Sequence, residues 1–202
     1  MDERRAKILK SASKLFRHYS YEKTTVEEIA SDAGLSKGAI YLEFKNKEDL
    51  LLAVIEDFSM EECTQIALKF NELGQDGPVL PAVRDILVAH LLNVYERVQQ
   101  QQHSPESMVY TNHRVRQEMT IYFTTIVDLL AGAFRRATSS GELPALADYE
   151  QTARTIFSSL NGYFPPYDCP TITPGSEPIT GPVLAARAKD LLTLLLNGLK
   201  QA

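Results

Sequence analysis

Between Thr24 and Leu50 the run TTVEEIASDAGLSKGAIYLEFKNKEDL sets helix starts and a glycine stop so close together that only short, tightly turned helices fit. Thr25 with Glu28 three residues on is the capping-box pattern, so a helix begins at Val26 and carries Val26, Ile29, Ala30 and Ala33 at helical spacing. Gly34 is the natural left-handed residue to end it, and Ser36 caps the next helix, barely two turns long, in which Ile40 is the inward anchor. A helix that short is not stable alone and has to be held on a scaffold. An exposed short helix on a scaffold is what a DNA major groove accepts.

The rest of the chain repeats this punctuation at greater length. A first helix over about Glu3 to Tyr19 places Ile8, Ala12, Leu15, Phe16 and Tyr19 on one face. Asn46 and Asp49 open a fourth helix that continues toward Leu73, long enough to reach from an N-terminal head into a larger body. A fifth is expected over about Val79 to Gln102, a short one from Ser104 and Pro105 to near His113, and a long amphipathic one over Arg114 to Ser139 closed by Gly141. Asp148 caps the next, which carries Ile156, Phe157 and Leu160, and a last helix spans about Pro182 to Leu199. Six of the ten prolines fall in residues 165–182, which reads as a long loop. No strand-like alternation occurs. The expected fold is all-α, about nine helices, with a head over 1–47 and a body over 48–202.

The net charge of −5 divides unevenly, +1 over residues 1–50 and −6 over 51–202. Local potential governs phosphate binding, so an acidic body does not forbid a nucleic-acid-binding head. The longest apolar runs fall far short of a bilayer span and the N-terminus lacks an apolar signal region, so a cytoplasmic protein without a membrane partner is expected. Cys63 and Cys169 cannot form a disulfide framework and read as inert thiols, although the sequence leaves redox sensing open. The four histidines show no i, i+4 pairing, and the GxSxG, P-loop and GxGxxG patterns are missing. No catalytic site, metal or cofactor is expected, and the chain is read as a non-enzyme.

The ordered set of Thr and an apolar residue, IA, AG, Ser-Lys-Gly, Tyr, Phe and a Lys before an acidic residue and Leu resembles the TetR/AcrR family of bacterial transcriptional regulators. The resemblance covers about the first fifty residues. It implies a three-helix helix-turn-helix head and DNA contacts from Thr25, Ser36, Lys37, Gly38, Tyr41 and Lys47, with Lys45 a further phosphate candidate. Thr25 and Ser36 stand at helix N-termini that favour phosphate, Gly38 permits close backbone approach, and Tyr41 can reach a phosphate or a thymine methyl. Glu43 departs from the family pattern, which often has an aromatic or His there; a carboxylate so placed either points away from DNA or accepts from cytosine N4.

The resemblance further implies a homodimeric repressor on a palindromic operator, released by a small apolar effector held in the body. Candidate lining residues are Phe58, Phe70, His90, Tyr95, Met108, Tyr110, Met119, Tyr122, Phe123, Ile126 and Phe157, each of which ordinary core packing explains as well. The last helix carries too wide an apolar arc for one-sided burial, so Ile156, Leu160, Leu184, Leu191, Leu192, Leu195 and Leu199 are assigned to a dimer interface. The competing reading is an all-α small-molecule-binding protein or enzyme whose N-terminal bundle merely extends the core.

Overall fold

The computed structural model describes residues 3–73, 77–99, 113–163 and 180–201. Among them are eight α-helices and no strand: α1 (Glu3–Tyr19), α2 (Val26–Ala33), α3 (Lys37–Glu43), α4 (Lys47–Asn71), α5 (Val79–Gln99), α6 (His113–Ser139), α7 (Tyr149–Ser159), which runs into a 3-10 turn (Leu160–Tyr163), and α8 (Gly181–Leu199). The expected short helix from Ser104 and most of the proline-rich loop lie outside the described residues. The chain divides into two compact units, one formed by the described residues of Met1–Glu61 and Arg97–Tyr122, the other by those of Glu62–Glu96 and Phe123–Ala202.

In the first unit the expected caps form. The Thr25 hydroxyl accepts from the Glu28 N–H at 3.2 Å while Glu28 accepts from the Thr25 N–H at 2.7 Å, which completes the capping box of α2. Gly34, at φ +68°, ends the helix, and the Leu35 N–H returns to the Ala30 carbonyl at 2.9 Å. Ser36 caps α3 through the Ala39 N–H, and Asn46 caps α4 through the Asp49 N–H. Ile8, Ala12 and Phe16 of α1, Ile29 of α2, Ile40 of α3 and Leu50 of α4 are almost wholly buried.

The turn after α1 contains a feature that periodicity does not reveal. Ser20 takes φ +79°, in the left-handed region where a β-carbon is strained. Its hydroxyl recovers little, accepting from the Lys23 N–H at a long 3.4 Å. Ser20→Gly is expected to raise unfolding stability by roughly 1 kcal/mol, read from the denaturant midpoint; an unchanged or lowered midpoint would show that the hydroxyl outweighs the strain.

In the second unit the end of α6 ties two other helix ends together. Arg136 donates to the Phe70 carbonyl at 3.1 Å, at the C-terminal end of α4. Glu142 accepts from the Val79 and Leu80 N–H groups at 2.6 and 3.1 Å, at the N-terminus of α5. Each charge faces the end of the helix dipole it favours and satisfies backbone groups that the helix leaves open. Phe134, Leu130, Ala133 and Ala137 of α6 are fully buried, as are Leu184, Ala188 and Leu192 of α8.

Ile156 and Leu160, also expected at a subunit surface, are buried within the chain as well, like Leu184 and Leu192. The wide arc of α8 is instead divided, with Leu191, Leu195 and Leu199 half-buried and Leu194 74 % exposed.

Candidate nucleic-acid interface

With only seven residues, α3 buries a single side chain, Ile40, at 1 % exposure. The rest of the helix is available to a ligand. Lys37, Gly38 and Tyr41 are exposed, and Thr25 and Ser36 stand at the exposed starts of α2 and α3. Lys45 is exposed in the turn that follows. The residues expected from the sequence to meet DNA, apart from Lys47, are therefore solvent-accessible on the helix-turn-helix segment.

Leu42 joins them, at 78 % exposure. Sequence reasoning missed it, yet the signal was present: two residues along a helix is about 200° around its axis, so a residue two beyond the buried Ile40 must face outward. An exposed leucine on this helix has no internal partner to explain it, and an apolar side chain in a major groove meets thymine methyls.

Gly38 points the same way by a different route. A β-carbon placed there would meet only the Ser36 hydroxyl, at an ordinary 3.8 Å, and its backbone is regular helix. Neither packing nor conformation requires glycine, although glycine weakens a helix interior by about 1 kcal/mol relative to alanine.

Charged neighbours set the polarity of the surface. The Lys37 ammonium pairs with Glu27 of α2 and lies 5.7 Å from the Tyr41 ring centroid. Its hydrogen bond holds Glu27 below the usual carboxylate range. The pair is exposed on both sides, so it is weak enough to be exchanged for a phosphate. Glu43 is drawn off the surface by Arg4, whose Nε donates to it at 2.9 Å, and the neighbouring Arg5 lies over the Phe44 ring at 4.6 Å. The carboxylate that broke the family pattern is thus neutralised within the protein.

Lys47 behaves differently from the other cations. It is half-buried, donates to the carbonyls of Tyr21 and Thr24, and lies over the Tyr21 ring.

The candidate effector residues fall in both units. Phe58, Met119 and Tyr122 are buried in the first, where the Ser59 hydroxyl lies within hydrogen-bond distance of the Ile55 carbonyl at 2.8 Å and of Met119 Sδ at 3.1 Å. Phe70, His90, Tyr95, Ile126 and Phe157 are buried in the second, where the Phe123 and Phe157 rings meet at 5.9 Å. Met108 and Tyr110 lie outside the described residues. Burial pushes the His90 imidazole down to about 4, so it is neutral at physiological pH although Glu62 lies 3.6 Å away. Burial likewise raises the Cys63 thiol and disfavours the reactive thiolate, while Cys169 lies outside the described residues.

Known proteins resemble this chain in sequence and in fold. The family described as "Bacterial regulatory proteins, tetR family" matches residues 8–54, the segment that carries most of α1, all of α2 and α3 and the start of α4. The uncharacterized HTH-type transcriptional regulator YerO of Bacillus subtilis is 48% identical over 56 residues, 28% of this chain and 19% of that protein. The HTH-type transcriptional regulator TtgR of Pseudomonas putida is 26% identical over 169 residues, 79% of this chain and 78% of that one. A transcriptional regulator of the TetR/AcrR family from Thermobifida fusca superposes with a TM-score of 0.68 at 24% identity, over 98% of both chains, a likeness of fold. Among the described residues no helix is long and apolar enough to cross a membrane.

Proposed function

Because the chain belongs to the TetR/AcrR family of transcriptional regulators, we propose that it is a cytoplasmic, ligand-responsive repressor that binds a palindromic operator in duplex DNA as a homodimer. The observation that carries this reading is α3, which buries Ile40 alone and exposes Lys37, Gly38, Tyr41 and Leu42. These residues read base edges and methyl groups, while Thr25, Ser36 and Lys45 take phosphates. Two such heads reading a palindrome require two-fold symmetry, with half-sites about one helical turn apart or slightly more. The second subunit covers the exposed part of α8, around Leu191, Leu194, Leu195 and Leu199.

A small apolar effector bound in the second unit shifts the balance between arrangements that dock on DNA and arrangements that do not. It acts only to the extent that it binds them unequally. Helix α4 contributes residues to both units and is a continuous element through which such a shift travels.

The test uses duplexes selected from a randomised library about three helical turns long. Wild-type protein is expected to bind the selected duplex as two chains, with affinity falling steeply as salt rises through the release of counterions from several phosphates. Leu194→Glu, which leaves the buried leucines of α8 in place, is expected to sediment as a monomer and to bind at least about tenfold more weakly. Failure to enrich any duplex at low salt would remove the DNA reading; an unchanged dimer would remove the α8 interface alone.

A further inference from the structure

An ammonium group has three N–H donors, and in Lys47 two of them are directed at backbone carbonyls while an aromatic ring lies against the charge. Its Nζ donates to the Tyr21 carbonyl at 2.8 Å and to the Thr24 carbonyl at 3.1 Å, and lies 4.3 Å from the centroid of the Tyr21 ring. Lys45, two residues earlier, is exposed.

The position of those carbonyls matters. The Thr24 carbonyl belongs to the peptide group whose N–H is that of Thr25, the N-cap of α2. That N–H donates to Glu28 at 2.7 Å. One peptide is therefore polarised from both sides, with an ammonium on its oxygen and a carboxylate on its N–H, an arrangement in which each hydrogen bond strengthens the other. The same loop is anchored to α1 by the buried Thr24 hydroxyl, within hydrogen-bond distance of the Leu15 and Ser20 carbonyls at 3.2 and 2.8 Å. On the far side of Lys47, Arg114 of α6 pairs with Glu48 at 2.9 Å and approaches Asp49 to 3.7 Å. The first turn of α4 is thus held between the loop that presents Thr25 and the start of α6, all within the first unit.

We propose that Lys47 is a positioning residue: it latches the first turn of α4 to the loop between α1 and α2, sets the place of Thr25 against the DNA backbone, and does not itself neutralise a phosphate. This rests on the DNA-binding reading above. It gives movement of α4 a direct route to a DNA-facing residue, because displacing the first turn of α4 pulls on the peptide that carries the Thr25 cap.

Salt dependence separates a latch from a phosphate contact. The probe is the duplex selected by the wild-type chain, and affinity is measured across a salt series for wild type, Lys47→Met, Lys47→Arg and Lys45→Ala. Loss of one phosphate contact lowers the log–log salt slope by about 1, the result expected for Lys45→Ala. Lys47→Met is expected to weaken binding about tenfold with the slope unchanged within about 0.3. Lys47→Arg should weaken it similarly, since a guanidinium serves a phosphate as well as an ammonium does, but its planar fork does not fit between two carbonyls and a ring. Thr25→Ala should then cost less in the Lys47→Met background than in wild type, as coupled groups require. A slope lowered by about 1 in Lys47→Met, or wild-type affinity in Lys47→Arg, would overturn the latch and leave the DNA reading intact. Absence of binding by the wild type would overturn both.

Discussion

Gly38→Leu is expected to fold, dimerise and melt no lower than the parent chain, yet to bind operator DNA about 100-fold more weakly, the equivalent of roughly 3 kcal/mol. The two halves of this result have separate causes. In the free protein a β-carbon at Gly38 meets only the Ser36 hydroxyl, at an ordinary 3.8 Å, and the position is exposed, so a larger side chain can extend into solvent, and leucine is the better helix former by up to about 1 kcal/mol. In the proposed complex the same side chain would stand where the helix backbone approaches the groove and would hold α3 away from the bases. Base contacts contribute about 1–3 kcal/mol each, so losing one or two of them accounts for the effect. Circular dichroism, thermal melting and sedimentation check the first half, and binding to the selected duplex checks the second. Wild-type affinity in Gly38→Leu would mean that α3 does not enter the groove along this face.

Ile40→Ala is expected to cost about 2–5 kcal/mol, a large part of the stability of a domain of this size. Ile40 is 1 % exposed and is the only residue of α3 that is buried, so its removal both opens a cavity and frees the helix from its support. Hydrogen exchange should show amide protection lost first over residues 37–43, with α1 and α2 less affected. DNA binding should fail together with that protection. A destabilisation below about 1 kcal/mol would show that α3 is held chiefly by its caps at Ser36 and Phe44 and not by its anchor.

The contrast between Gly38 and Ile40 shows how far the DNA-reading segment was legible in advance. Caps and stops are local: a hydroxyl and a carboxylate three residues apart, or a glycine after an apolar run, act within one turn, and the bonds at Thr25, Ser36, Asn46 and Asp148 formed where their spacing implied. The position of Leu42 was equally local and simply went unread. Lys47 was not legible. A lysine at the start of a helix after a DNA-reading segment suggests a phosphate ligand, and only the folded chain brings the Tyr21 and Thr24 carbonyls, more than twenty residues away, around its ammonium.

The same holds in the second unit. The glutamate after Gly141 reads as part of a helix stop, yet its carboxylate caps α5 more than sixty residues earlier. The leucines of α8 read as a two-sided apolar arc, but which of them faces the protomer interior depends on the helices packed against it. Leu192 is fully buried while Leu194, two positions on, is largely exposed.

By itself, then, the sequence determined the helices, their ends and the short exposed helix suited to a groove, because capping and periodicity act over a few residues. The tertiary structure alone decided which cation meets solvent and which is held against backbone carbonyls, which leucines of α8 stay exposed, and which carboxylate is neutralised within the head. Those outcomes depend on groups distant in the chain that compete for the same polar and apolar surfaces, and only packing settles that competition.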